Sequence, residues 1–216
     1  MEIRIVYADD SLILCEKPAG VLSEEGGMPD LLRSQLGTPQ IFCVHRLDRA
    51  VGGLMVYART KEAAASLSRQ ITDGSFQKEY LAVCRGEAPE AGEMRDLLYR
   101  DAKTNKSFVV KRMRKGVREA ALRFETLERC DGLSLVRVEL LTGRSHQIRV
   151  QFASRKLPLL GDRRYGGGAE TELALRSCAL RFRHPESGKD LAFTLSPPRA
   201  EPWLRFPSVH NSKTTG

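Results

Sequence analysis

Leu133-Ser134-Leu135-Val136-Arg137-Val138-Glu139-Leu140-Leu141-Thr142-Gly143-Arg144-Ser145-His146-Gln147-Ile148-Arg149-Val150-Gln151-Phe152 changes its hydrophobic period halfway along. Val136, Val138 and Leu140 alternate, which puts them on one face of a strand over 133–141. Thr142-Gly143-Arg144-Ser145 then turns the chain, and Ile148 and Phe152, four apart, share one face of a helix over 146–155. Working outward, β-type runs fall at 3–7 and 12–15, split by the turn Ala8-Asp9-Asp10-Ser11, and at 54–58, 78–84, 108–112, 121–127, 179–182 and 191–195. One further helix is predicted over 61–71, with Thr60 as N-cap and Asp73-Gly74 as its stop. Many strands with few helices and no regular alternation predict an α+β fold with a mostly antiparallel sheet.

The 216 residues are enough for one domain with a sizeable core, expected over 1–207, with 208–216 as a flexible tail. No apolar run is long enough for a membrane helix, and the start Met1-Glu2-Ile3-Arg4 has no signal-peptide layout. Five scattered cysteines at 15, 43, 84, 130 and 178 read as free thiols of a reducing cytoplasm. The four histidines are equally scattered, so no metal site is expected. The net charge of +8 suits a polyanion. Lys103, Lys106, Lys111, Arg112, Arg114, Lys115 and Arg118 form an acid-free basic set, with Lys111 and Arg112 at its centre. A second set holds Arg144, Arg149, Arg155, Lys156, Arg163 and Arg164. Both are expected to meet phosphates.

Three clusters could carry chemistry. Val44-His45-Arg46-Leu47-Asp48-Arg49 sets an acid between two arginines, ahead of Gly52-Gly53. It reads either as a surface ion pair or as a carboxylate kept ionised for nucleophilic or base chemistry. In residues 142–149 a glycine turn, a helix start and two arginines favour an anion, or simply cap a helix. Lys78-Glu79-Tyr80 puts an aromatic on a strand, either as core or for base stacking.

Taken in order along nearly the whole chain, these blocks resemble the RluA-type pseudouridine synthases. Lys17-Pro18-Ala19-Gly20 resembles the early lysine-proline-glycine block, and His45-Arg46-Leu47-Asp48 the catalytic block. Lys78-Glu79-Tyr80-Leu81-Ala82 resembles the tyrosine block. Residues 141–150 resemble the third, and Pro158-Leu159-Leu160-Gly161-Asp162-Arg163-Arg164-Tyr165-Gly166 continues it. The chain departs from the family's pattern at Val51-Gly52, where Thr-Ser is usual. It also departs at Glu16 for asparagine, Gln151 for histidine and Arg176-Ser177 for His-Ala.

The resemblance implies one catalytic domain of two lobes around a mixed, mainly antiparallel sheet. The extra N-terminal RNA-binding domain found in many relatives is expected to be absent, because the first predicted strand starts at Ile3. It implies that Asp48 is the catalytic aspartate, that Arg149 pairs with it, and that Tyr80 stacks on the target base in the same pocket. Arg46 would fill the gap left by the flipped nucleotide, and Leu180 would pack beneath the tyrosine. Further substrate or RNA contacts are expected from His45, Lys17, Lys78, Arg144 and His146. The implied reaction breaks the glycosidic bond of a uridine in rRNA or tRNA, rotates the uracil and rejoins it through carbon 5. No redox change occurs, so no cofactor is expected. The base must leave the RNA stack to be reached. Asp48 would attack the uracil or ribose, or take a ribose proton. The chain is expected to act as a monomer. The alternatives are a non-catalytic RNA-binding or RNA-folding factor on the same scaffold, and a carboxylate-dependent hydrolase, which would want a second acid near Asp48.

Overall fold

The structure, a computed structural model, describes residues 1–210. In chain order its elements begin with β1 (Ile5–Ala8), β2 (Leu12–Lys17), α1 (Met28–Leu36), β3 (Phe42–Cys43), β4 (Gly52–Ala58) and α2 (Lys61–Asp73). There follow β5 (Gln77–Arg85), β6 (Ala91–Asp101), β7 (Lys106–Val110), β8 (Val117–Cys130) and β9 (Leu133–Leu140). Last come α3 (Gln147–Ser154), β10 (Leu175–Arg183) and β11 (Asp190–Thr194). The expected α+β class, mainly antiparallel with a parallel pair, is the one observed. No helix among the described residues is long and apolar enough to cross a membrane.

The chain divides into two compact units. The first holds residues 1–78 and 176–195; the second holds 79–175 and continues from 196. In the first, β2 pairs antiparallel with β1 and β4. β4 also pairs with β3, and β10 pairs with β11, both antiparallel. β4 meets β10 in parallel, Gly52 opposite Arg176 and Gly53 opposite Ser177. Gly53 has φ +119°, and a Cβ there would lie 2.1 Å from the Ser177 carbonyl oxygen. Close backbone approach therefore requires this glycine. Period-two burial sends Leu12, Leu14, Leu54 and Val56 to one core with Leu67 of α2, Phe76, Leu180 and Phe182. Thr60 Oγ1 accepts the Ala63 N–H at 3.1 Å, the predicted cap of α2.

In the second unit β5, β9, β8, β6 and β7 pair antiparallel in that spatial order. Val138 lies between Tyr80 and Phe124 in register. α3 buries every residue from Gln147 to Phe152. Of the expected tail over 208–216, residues 211–216 lie outside the described residues. Pro207–Val209 forms a 3₁₀ turn with Val209 buried, so ordered chain continues beyond 207.

Three of these elements, α1, the two-residue β3 and β6, go beyond the sequence expectation. α1 starts behind Gly26-Gly27 with Pro29 in its first turn, where a missing N–H costs nothing. β6 has no β-branched residue and forms because β7 and β8 offer it partners on both edges.

Candidate active site

Asp48 sits half-buried in the loop between β3 and β4. The loop is held from behind by residues 17–23. Lys17 is fully buried, and its ammonium donates to the carbonyls of Pro18 at 2.9 Å, Val21 at 2.7 Å and Arg49 at 3.3 Å. All three ammonium protons are thereby used. Burial pushes the Lys17 pKa down to about 8, while the nearby Asp48 carboxylate favours the charged form. The Gly20 N–H donates to the Arg49 carbonyl at 2.7 Å, and Arg49 Nε returns a bond to the Gly20 carbonyl at 2.8 Å. Ser23 Oγ accepts the Leu47 N–H at 3.0 Å and donates to the Leu47 carbonyl at 2.8 Å. Buried Tyr57 in turn donates its hydroxyl to the Ser23 carbonyl at 2.9 Å. With the Val51 N–H closing a turn on the Asp48 carbonyl at 2.9 Å, the backbone on both sides of Asp48 is fixed.

His45 and Lys17 are therefore corrected from RNA contacts to parts of the scaffold. His45 is buried against Phe76, ring centroids 5.5 Å apart, and its Nε2 accepts the Val56 N–H at 3.2 Å. Burial, and secondarily the Lys78 charge, hold its pKa down to about 3, so the ring is neutral. Leu180 is buried in the first unit's core. Lys78 is half-buried with its ammonium 5.9 Å from the Phe76 ring centroid, and burial lowers its pKa. Arg46 is exposed and pairs with Glu24 at 3.0 Å, an ion pair that solvent weakens and a phosphate could replace.

In the second unit Tyr80 is buried in the middle of β5. Arg149 projects from α3 and is also buried, so it is not an ordinary solvent-facing helix arginine. Its Nε and Nη2 donate to the two oxygens of Asp162 at 2.7 and 2.8 Å, a two-pronged contact with a fully buried carboxylate. Asp162 Oδ1 also accepts the backbone N–H groups of Arg164 and Tyr165, at 3.1 and 3.3 Å. The Tyr165 ring lies under the guanidinium, 5.2 Å from its central carbon. The Tyr165 hydroxyl accepts the Ser107 N–H at 2.8 Å and lies 2.9 Å from His146 Nδ1.

His146 enters α3 in the left-handed conformation, φ +54°, so the turn rather than a capping side chain starts this helix. Gln147 fastens the turn. Its oxygen accepts from Thr142 Oγ1 at 2.7 Å and the Arg144 N–H at 3.0 Å, and its nitrogen donates to the Ala121 carbonyl at 3.0 Å. Arg144 is exposed, with Nε on the Glu119 carbonyl at 2.9 Å. Lys111 and Arg112 are exposed in the connection from β7 to β8. Ser23, Gln147, Asp162 and Tyr165 are the working residues that sequence reasoning passed over. The last two stand in the 158–166 block, next to nothing that would assign them a partner.

The sequence pattern of the RNA pseudouridylate synthase family matches residues 11–154. That span contains both the Asp48 loop and the Arg149 helix. The chain belongs to the RNA pseudouridylate synthase family. It is 33% identical over 217 residues to ribosomal large subunit pseudouridine synthase D of Neisseria meningitidis serogroup B, covering 89% of this chain and 58% of that protein. It is 30% identical over 211 residues to an uncharacterized RNA pseudouridine synthase of Haemophilus influenzae, covering 95% and 92%. The chain thus spans little more than half the length of the Neisseria relative. Among solved structures, human RNA pseudouridylate synthase domain containing 1 superposes with a TM-score of 0.79 at 23% identity, over 92% of this chain and 85% of that one. This pseudouridylate synthase fold is the one the resemblance implied.

Proposed function

We propose that this chain isomerises uridine to pseudouridine within RNA, with Asp48 as the catalytic carboxylate. The observation that carries the reading is the construction around Asp48. Three separate anchors, Lys17, Gly20 and Ser23, fix the loop backbone, yet the carboxylate itself stays half-exposed. Such rigidity suits a group that must meet a reacting atom in one geometry. On the family resemblance, Tyr80 is assigned as the ring against the flipped uracil and Arg149 as a further member of the catalytic set. The name of the Neisseria relative favours rRNA as the substrate, and the exposed Lys111 and Arg112 supply phosphate contacts. Family membership argues against the non-catalytic RNA-folding alternative. The chain is proposed to work as a monomer in the cytoplasm.

Isomerisation leaves mass unchanged, so the test is carbodiimide-based mapping of pseudouridine in rRNA and tRNA incubated with the purified chain. New stops at defined uridines are expected. RNA bound tightly but left without any modified uridine would restore the RNA-folding alternative.

A further inference from the structure

The β6–β7 hairpin carries an unusual outer face. In an antiparallel sheet that covers a core on one side, the other side is normally polar. Here Leu98 packs on Val150 of α3, and Ser107 Oγ donates to the Ser145 carbonyl at 2.7 Å, so these residues mark the inner face. Tyr99 and Phe108 alternate with them and stand directly opposite each other in register, so both rings lie on the outer face. Phe108 is 41% exposed. Each ring has a cation beside it: the Arg114 guanidinium 5.0 Å from the Tyr99 centroid, the Lys106 ammonium 5.7 Å from that of Phe108.

These cations differ from most of the unit's arginines. On β8 and β9, Arg123, Arg129 and Arg137 are paired with Glu93, Glu90 and Glu125. Around the hairpin, Lys106, Lys111, Arg112, Arg114 and Lys115 have no carboxylate partner among the described residues. Unpaired cations around exposed rings complement a chain of phosphates that carries unstacked bases. Helical RNA offers phosphates but no free base faces.

We infer that the outer face of the β6–β7 hairpin is a stacking platform for unpaired nucleotides of the RNA substrate, with Phe108 as its main ring. The inference rests on RNA being the substrate, and it adds that the segment held by this hairpin is single-stranded. Lys106 and Arg114 hold the backbone beside the stacked bases. Lys106 also lies over Tyr165, 5.3 Å from its centroid.

The test uses the full chain with two probes, a short oligouridine carrying 2-aminopurine and a duplex RNA of equal charge. Phe108→Ala is expected to weaken oligouridine binding about fivefold or more and to abolish the quenching of 2-aminopurine fluorescence. Duplex binding should change less than twofold. Phe108→Trp should restore both oligouridine signals. Val109→Ala, one residue along on the opposite face, should leave them unchanged. Equal losses for Phe108→Ala on both probes, or equal losses for Phe108→Ala and Val109→Ala, would overturn the platform. Because binding needs no turnover, a chain that stacks oligouridine yet modifies no RNA would sink the proposed reaction and leave the platform standing. Normal modification with an inert Phe108 would do the reverse.

Discussion

The loop that carries Asp48 and the helix that carries Arg149 are braced by opposite means. Behind Asp48 stands a buried cation, Lys17, whose bonds go only to backbone carbonyls. Behind Arg149 stands a buried anion, Asp162, whose two oxygens grip the guanidinium itself. Lys17 therefore acts on the shape of the loop through its backbone. Asp162 fixes the functional group's orientation directly, and it ties that orientation to the backbone of Arg164 and Tyr165. The difference teaches that one brace acts on a functional group at the end of a long stem, while the other acts on the backbone from which a short side chain projects.

The comparison can be broken by substitution, because the two braces should fail in different ways. Asp162→Asn keeps the size and removes the charge. It is expected to lower single-turnover isomerisation about a hundredfold while thermal stability falls only modestly, since the fork loses its fixed geometry. If Asp162→Asn reacts at the wild-type rate, Arg149 does not depend on its brace. Arg149→Lys keeps the charge and loses the fork, and should slow the chemical step more than tenfold with the fold intact. Equal rates for Lys and Arg at this position would mean that charge alone suffices.

Lys17→Met should show the other signature. Three part-buried carbonyls lose their donor, so unfolding free energy should fall by about 2–4 kcal/mol in denaturant titration. Activity should fall with it and recover in part at lower temperature. A silent Lys17→Met would show that Gly20 and Ser23 hold the loop alone. A further prediction concerns pH. His45 has its pKa depressed to about 3 in the folded chain against an ordinary value near 6.5, so the unfolded state binds the extra proton first. Its contribution to stability is complete above pH ~6.5 and is lost as pH falls from there toward 3. In His45→Asn the decline of stability between pH 6.5 and 4 should be shallower by up to about 1.4 kcal/mol per pH unit. An unchanged slope would mean that His45 is not held neutral.

Much of this frame was legible before any coordinates. β9 and β5 announce themselves because their apolar residues alternate or run together, and α2 because Thr60 caps it and Gly74 stops it. β6 was hidden because Ala91-Gly92-Glu93-Met94-Arg95-Asp96 has no local strand preference. Its structure comes from its neighbours. Asp48 and Arg149 stand out through family motifs, but their braces do not. A lysine next to proline reads as an exposed cation, and only the tertiary cage of carbonyls around Lys17 makes its burial possible. Asp162 is separated from Arg149 by thirteen residues and meets it only because the chain folds back after α3. Charge counting located the basic hairpin but missed its aromatic face, since Tyr99 and Phe108 become neighbours only through strand register.

The most direct measurement is single-turnover conversion of a mapped target RNA by Asp48→Asn, run beside an equilibrium binding titration of the same RNA. Asn preserves shape and removes the charge. The account predicts conversion below about one hundredth of the wild-type rate with RNA affinity within a few-fold. Conversion near the wild-type rate, or a loss of binding larger than the loss of conversion, would contradict Asp48 as the reacting group.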